Sequence, residues 1–195
     1  MSTITATDTF LTIVSGLPRS GTSMMMRMLD MGGMPVLIDH IRTADHDNPN
    51  GYYEFEAVKR TKQDSTWLEG SHGKAVKMVY RLLYDLPADR SYRVLFMRRK
   101  LEEVLASQRT MLERKSAPRD AASDGQMETL FRRELQSFYD WVPKQNHIEL
   151  IDVDYNQILS DPLTELDRVH EFLGGAVDLA AMASVVDSKL YRNRV

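Results

Sequence analysis

The sequence contains no cysteine, and this absence excludes several kinds of site at once. Without cysteine there is no disulfide scaffold, no thiolate-bound zinc or iron–sulfur cluster, and no thiol nucleophile. Long hydrophobic runs are also missing, because no apolar segment approaches the roughly 20 residues that a helix needs to span a membrane. The first ten residues hold neither lysine nor arginine and show no signal-peptide pattern, so we expect a cytoplasmic protein with no membrane partner.

A strong net charge of either sign is missing as well. The 25 basic and 28 acidic residues give a formal net charge of −3, which argues against a general nucleic-acid-binding protein. The basic residues nevertheless concentrate between positions 90 and 119, where nine lysines and arginines stand against three glutamates. This local excess indicates either a small anionic ligand held at one place or a solvated basic helix face.

The hydrophobic pattern predicts one domain over residues 1–195. Hydrophobic residues make up 43% of the chain, a normal share for a globular protein. Strand-like segments alternate with helix-like ones, which predicts an α/β fold of three layers, with a mostly parallel central sheet flanked by helices. The predicted strands are 10–15, 75–79, 92–97 and 148–152. The predicted helices are 23–31, 54–64, 101–112, 126–142 and a region from 162 onward.

A glycine-containing loop with the sequence GLPRSGTS follows the first predicted strand. Two glycines separated by four residues and followed by two hydroxyl residues have the spacing of a P-loop, whose backbone amides surround an oxyanion. Nucleotide triphosphatases carry lysine directly after the second glycine, whereas this chain has Thr22 there and Arg19 inside the loop. Since arginine matches an oxyanion bidentately, the loop predicts anion binding without hydrolysis of ATP or GTP.

The loop L-P-R-S-G-T-S resembles the 5′-phosphosulfate-binding loop of the P-loop sulfotransferases. Those enzymes use 3′-phosphoadenosine 5′-phosphosulfate (PAPS) and release 3′,5′-ADP. A second family signature is an arginine at a strand end followed eight residues later by a serine, and Arg99 and Ser107 match it. The alternative, Arg98, has Ala106 at that spacing. The resemblance implies that Arg99 and Ser107 bind the 3′-phosphate.

Weaker matches extend over most of the chain. Lys77 resembles the strand lysine that approaches the transferring sulfuryl group, and Tyr155 resembles a tyrosine near the adenine. The segments NPNGYYE and LYRNR are similar to those of a group of small bacterial sulfotransferase-like proteins. We expect the usual C-terminal nucleotide loop of the family to be reduced or missing, with Arg192 and Arg194 either replacing its cations or belonging to a frayed tail.

The resemblance implies the following roles. Arg19 and Lys77 stabilise charge on the leaving phosphate, and no metal is needed. The residues expected to hold the nucleotide are Arg19, Ser20, Gly21, Thr22, Ser23, Arg99, Ser107, Tyr155, Arg192 and Arg194.

The chain departs from the family at two positions. Val79 stands where many members carry a basic histidine, and Met24 replaces an aromatic residue that stacks on adenine. A carboxylate is therefore the expected general base. Glu54 is the first candidate, because it lies where glycan-type members carry a catalytic glutamate. Glu56 and His72 are the alternatives.

The leading hypothesis is an enzyme that moves a sulfuryl group from PAPS to a hydroxyl or amine of a small molecule or glycan. A P-loop kinase is the second hypothesis, with Asp152 as its magnesium-binding acid. A non-catalytic nucleotide-binding or partner-binding module is the third. The acceptor pocket is expected to involve loops 39–53 and 116–125. His40, Asp45, His46 and Asp47 lack the spacing of metal ligands, so no metal site is predicted.

Overall fold

The computed structural model describes residues 9–42, 51–114 and 124–186. Within these ranges, four parallel strands form one sheet in the order β2-β1-β3-β4. The strands are β1 (Leu11–Gly16), β2 (Ala75–Lys77), β3 (Tyr92–Arg98) and β4 (Ile148–Asp154). Each predicted strand is present, so the predicted parallel α/β sheet is confirmed.

Helices cover the sheet on both sides. The α-helices are α1 (Thr22–Met31), α2 (Leu101–Arg114), α3 (Asp124–Trp141), α4 (Tyr155–Ser160), α5 (Pro162–Phe172) and α6 (Leu179–Ala183). Short 3-10 helices span Glu56–Arg60, Thr66–Leu68, Tyr80–Asp85 and Val142–Lys144. None of the helices in the described ranges is long and apolar enough to cross a membrane.

The strand side chains separate two hydrophobic cores. Because successive residues of a strand point to opposite faces, Leu95 and Met97 of β3 lie in one core while Val94 and Phe96 lie in the other. The first core contains residues of α1, α4, α5 and α6, and the second contains residues of α2, α3 and the 3-10 helices. The fold therefore has the three layers that the hydrophobic pattern predicts.

Two predicted elements are shorter than expected. The segment 54–64 forms only the 3-10 helix Glu56–Arg60, in which Val58 is the only fully buried side chain. The strand predicted over 75–79 ends at Lys77, because the chain turns there into a 3-10 helix that buries Tyr80 and Leu83.

The carboxyl ends of the strands meet at one edge of the sheet. The glycine-containing loop follows β1, Lys77 ends β2, Arg99 follows β3 and Tyr155 follows β4. In the sheet, β1 lies between β2 and β3. In open parallel sheets this arrangement marks the crevice where ligands bind.

Candidate functional site

The loop between β1 and α1 has a backbone that depends on glycine. Gly16 and Gly21 have φ angles of +146° and +100°, and the intervening Arg19 has φ +71°. A Cβ atom on Gly21 would lie 2.4 Å from Cδ2 of Tyr155, so any other residue would displace the ring. Gly21 precedes α1 without a side chain to cap it, and the first turn of α1 has no acidic residue. The first-turn amides are thus suited to an anionic ligand.

Ser20 lies beneath this loop rather than on its surface. It is buried, and its Oγ would be 2.6 Å from a Cβ atom placed on Gly16. Among the described residues no group hydrogen-bonds to this hydroxyl. A buried hydroxyl without a partner costs about 1–3 kcal/mol, so the loop retains unused hydrogen-bonding capacity at its base.

The two predicted halves of the anion site touch each other. The Nε of Arg19 donates to Oγ of Ser107 at 3.0 Å, and a terminal nitrogen of Arg99 donates to the carbonyl oxygen of Arg19 at 3.1 Å. Ser107 is buried in α2, and Arg99 stands between β3 and α2. The loop and the strand-end arginine thus converge on one place, although Arg19 and Arg99 are 80 positions apart in sequence.

A buried acid holds Arg99 from behind, and an amide in turn holds that acid. Its Nε donates to Oε2 of Glu103 at 2.9 Å, and Nδ2 of Asn156 donates to the other carboxylate oxygen at 3.1 Å. The guanidinium carbon lies 4.6 Å from the ring centre of Tyr155. Burial raises the pKa of Tyr155, which keeps the phenol neutral. We call Arg19, Arg99, Glu103, Ser107, Tyr155 and Asn156 the buried cluster.

Arg98 lies on the other face of the sheet. Its guanidinium donates to the Tyr139 hydroxyl at 2.7 Å and to Asp152 at 3.3 Å. Tyr139 also donates to Asp152, at 2.5 Å. Asp152 is therefore engaged with Tyr139 of α3 and Arg98 of β3, which disfavours its role as the metal-binding acid of a kinase.

A second group of side chains lies at the edge of the site, around Lys77. The Lys77 ammonium donates to the carbonyl oxygen of Tyr52, and its Nζ lies 3.4 Å from Oγ of Ser23 and 3.7 Å from Oε1 of Glu54. Ser23 donates to the same carbonyl oxygen at 3.2 Å. The same Oε1 of Glu54 also accepts from a terminal nitrogen of Arg42, at 2.8 Å. Ser23, Arg42, Tyr52, Glu54 and Lys77 are called the rim cluster below.

Burial dominates the electrostatics of Lys77. It lowers the pKa of Lys77 to about 8, although the Glu54 carboxylate opposes the shift. Arg42 stacks on the ring of Tyr52 with its guanidinium carbon 3.3 Å from the ring centre. The ammonium is thus a partly desolvated cation, whose attraction for an anion is stronger than in water.

The candidate bases occupy different places. Glu54 belongs to the rim cluster, whereas Glu56 pairs with Lys59 at 2.5 Å on the surface. His72 is exposed and precedes β2, at the edge of the sheet opposite the loop. Of these candidates, Glu54 alone contacts another predicted site residue within the part of the chain that the structure describes.

Several predictions fall elsewhere. Arg192, Arg194, Asp45, His46, Asp47 and nearly all of loop 116–125 lie outside the described residues. The amphipathic helix α3 packs Phe131 and Phe138 into the core, and next to Phe138 it lines an open groove of about 390 Å³ with Tyr80 and Tyr84.

No protein-family model matches the chain, and no curated protein matches its sequence. A solved structure that it resembles is a sulfotransferase domain from the curacin biosynthetic pathway. The superposition has a TM-score of 0.51 at 13% identity, covering 93% of this chain and 79% of that domain. The chain has a sulfotransferase-like fold. The fold expected from the loop and the strand-end arginine is therefore confirmed.

Within this sulfotransferase-like fold, sequence reasoning missed four contributors to the two clusters: Arg42, Tyr52, Glu103 and Asn156. Glu103 was detectable, because it follows Arg99 by four residues, a spacing that favours ion pairs in helical segments. The contacts of Arg42, Tyr52 and Asn156 join segments that are separated in sequence, and no short sequence motif predicts them.

Proposed function

We propose that this protein is a PAPS-dependent sulfotransferase that transfers a sulfuryl group to a hydroxyl or amine of a small molecule or glycan. The observation that carries the proposal is the direct contact of Arg19 with Ser107 and Arg99. By the resemblance, Arg19 belongs to the phosphosulfate loop, and Arg99 and Ser107 form the 3′-phosphate pair.

The residues present fit such a donor. The glycines let the loop pack directly against Ser20 and the Tyr155 ring, and the Ser20 hydroxyl offers an unused hydrogen bond at the base of the loop. In the proposed reaction the loop amides, Thr22 and Ser23 bind the 5′-phosphosulfate, and Arg99 and Ser107 bind the 3′-phosphate. Tyr155 packs near the adenine.

The chemistry required of the protein is modest. Sulfuryl transfer, like phosphoryl transfer, depends on alignment of donor and acceptor and on fixed cations that stabilise charge on the leaving group. Arg19 and Lys77 supply these cations. Glu54 accepts the proton of the acceptor, and the resulting nucleophile takes the sulfuryl group as 3′,5′-ADP leaves.

The test is a thermal-unfolding comparison of 3′,5′-ADP, 5′-ADP, and ATP with Mg²⁺. A ligand at a hundredfold excess over its Kd adds about 2.7 kcal/mol of stability. We expect a rise in Tm of roughly 5–10 °C with 3′,5′-ADP and a smaller rise with the other two nucleotides. A larger rise with ATP and Mg²⁺ would favour a kinase, and no rise with any nucleotide would contradict a donor site.

Two adjacent arginines provide the matched variants. Arg99→Ala removes a side chain of the buried cluster and should abolish the advantage of 3′,5′-ADP over 5′-ADP. Arg98→Ala removes the same charge one residue earlier, on the opposite face of the sheet, and should leave that advantage intact. An equal loss of the advantage of 3′,5′-ADP over 5′-ADP in both variants would show that the basic segment attracts nucleotides without a specific 3′-phosphate site.

A further inference from the structure

Glu103 is an unusual residue at its position. It is 0% exposed, and a buried carboxylate is costly unless charged or hydrogen-bonding partners compensate it. Its two oxygens accept from different elements, one from Arg99 and one from Asn156 of α4. No role in the proposed reaction requires its charge, so its partners indicate what it does.

The contacts of Glu103 fix the orientation of Arg99. The Nε edge of the guanidinium faces Glu103, and one terminal nitrogen reaches the Arg19 carbonyl oxygen. The ring of Tyr155 packs against the Arg99 guanidinium and restricts its rotation. Since an arginine side chain otherwise samples many rotamers, these contacts remove freedom that a bound phosphate would have to remove.

The same contacts reach the phosphate loop. Arg19 has φ +71°, a conformation uncommon for a residue other than glycine. Its carbonyl oxygen is held by Arg99, which is held by Glu103. A change at Glu103 therefore alters both the strand-end arginine and the backbone of the loop.

We propose that Glu103 is a positioning residue that gives the donor site its selectivity for a 3′-phosphate by holding Arg99 through Nε. This inference rests on the proposed function, because it assigns a 3′-phosphate to Arg99. It goes beyond that function by giving a role to a buried acid that touches no part of the donor.

A purely electrostatic role and a positioning role of Glu103 predict opposite effects of Glu103→Gln on binding of the 3′-phosphate. If Glu103 acted only through its charge, its removal would leave more positive potential at Arg99 and strengthen binding of the 3′-phosphate. If Glu103 positions Arg99, the same change weakens binding. Glutamine presents one acceptor and one donor where Arg99 and Asn156 both donate, so one hydrogen bond is lost.

The experiment measures Kd for 3′,5′-ADP and 5′-ADP by calorimetry, and selectivity is the ratio of the two values. We expect Glu103→Gln to lower the selectivity about tenfold. Glu102→Gln is the matched control, because it removes the same charge one residue earlier from an exposed side chain. It should keep the wild-type selectivity. A merely structural loss of stability lowers both affinities together and leaves their ratio unchanged.

Glu103→Asp is a second variant, which tests the proposal if the glutamine variant does not fold. It keeps the charge but draws the carboxylate back by one methylene, so positioning predicts a loss of selectivity here as well. Unchanged or increased selectivity in the folded Glu103 variants would overturn the positioning role while leaving the donor proposal intact. A wild-type protein without preference for 3′,5′-ADP would overturn both.

Discussion

The buried cluster and the rim cluster are built in different ways. In the buried cluster Arg99 and Glu103 have side chains only 7% and 0% exposed, and every member lies in a helix, at a strand end or in the loop. The rim cluster depends on residues 51–54, which form neither helix nor strand, and on the exposed Arg42. The short loop between β1 and α1 and the regular elements around it thus fix the groups proposed to bind the donor, whereas residues 51–54 carry the proposed base.

The largest expected effect comes from removing the cation that belongs to the loop itself. Arg19→Ala should lower kcat/KM for sulfuryl transfer by about 10³-fold, because a fixed charge at the leaving group is lost. The variant should still fold, since Arg19 is only half-buried. The measurement is release of 3′,5′-ADP from PAPS with a panel of phenols, sugars and amines, or with water when none reacts.

Arg60→Ala is the control for this loss of charge, because Arg60 is exposed and distant from the loop in sequence. It should retain full activity. Activity of Arg19→Ala within a few-fold of wild type would contradict the mechanism and with it the functional importance of the buried cluster.

The next effect tests whether the rim cluster takes part in the chemistry. Glu54→Gln should lower kcat about 10²-fold with an alcohol acceptor, since a positioned general base contributes 10²–10⁴-fold. Glu56→Gln, two residues later, should have little effect, because that carboxylate pairs with Lys59 on the surface. If Glu54→Gln retains its activity and Glu56→Gln loses it, the base has been assigned to the wrong residue.

The difference between the clusters also explains what the sequence could predict. The parallel sheet follows from four apolar strands and the helices between them. Arg19, Arg99 and Ser107 belong to short motifs with fixed spacing, and the fold brings these three side chains into contact. Arg98 ends β3 and contacts Tyr139, whereas Arg99 follows the strand and donates to the loop carbonyl oxygen of Arg19.

The rim cluster follows no such rule. Tyr52 contributes a backbone carbonyl oxygen, which any residue would offer, and Arg42 reaches Glu54 across a connecting segment. Such contacts depend on the path of the chain and not on local residue patterns. The desolvation of Lys77 likewise results from tertiary packing, so its lowered pKa could not be expected from its place at a strand end.

The smallest expected effect concerns the free energy of unfolding, which the desolvated Lys77 ammonium of the rim cluster lowers. A lysine with a folded-state pKa near 8 and an ordinary value of 10.5 binds fewer protons when folded than when unfolded. The free energy of unfolding therefore rises with pH between these values, as the unfolded chain loses its excess proton. From pH 8 to pH 10 the gain is on the order of 2 kcal/mol.

Lys77→Met isolates this contribution, because it removes the titrating group and keeps an unbranched apolar side chain. Urea unfolding of both proteins at pH 8, 9 and 10 should show the wild type gaining stability relative to the variant. Higher pH is avoided, since burial raises the pKa of Tyr53 and Tyr92 to about 12 and their titration in the unfolded chain has the opposite effect. A constant difference across the three pH values would mean that Lys77 is as well solvated as a surface lysine. The rim would then lack the partly desolvated cation that distinguishes it as the proposed place of sulfuryl transfer.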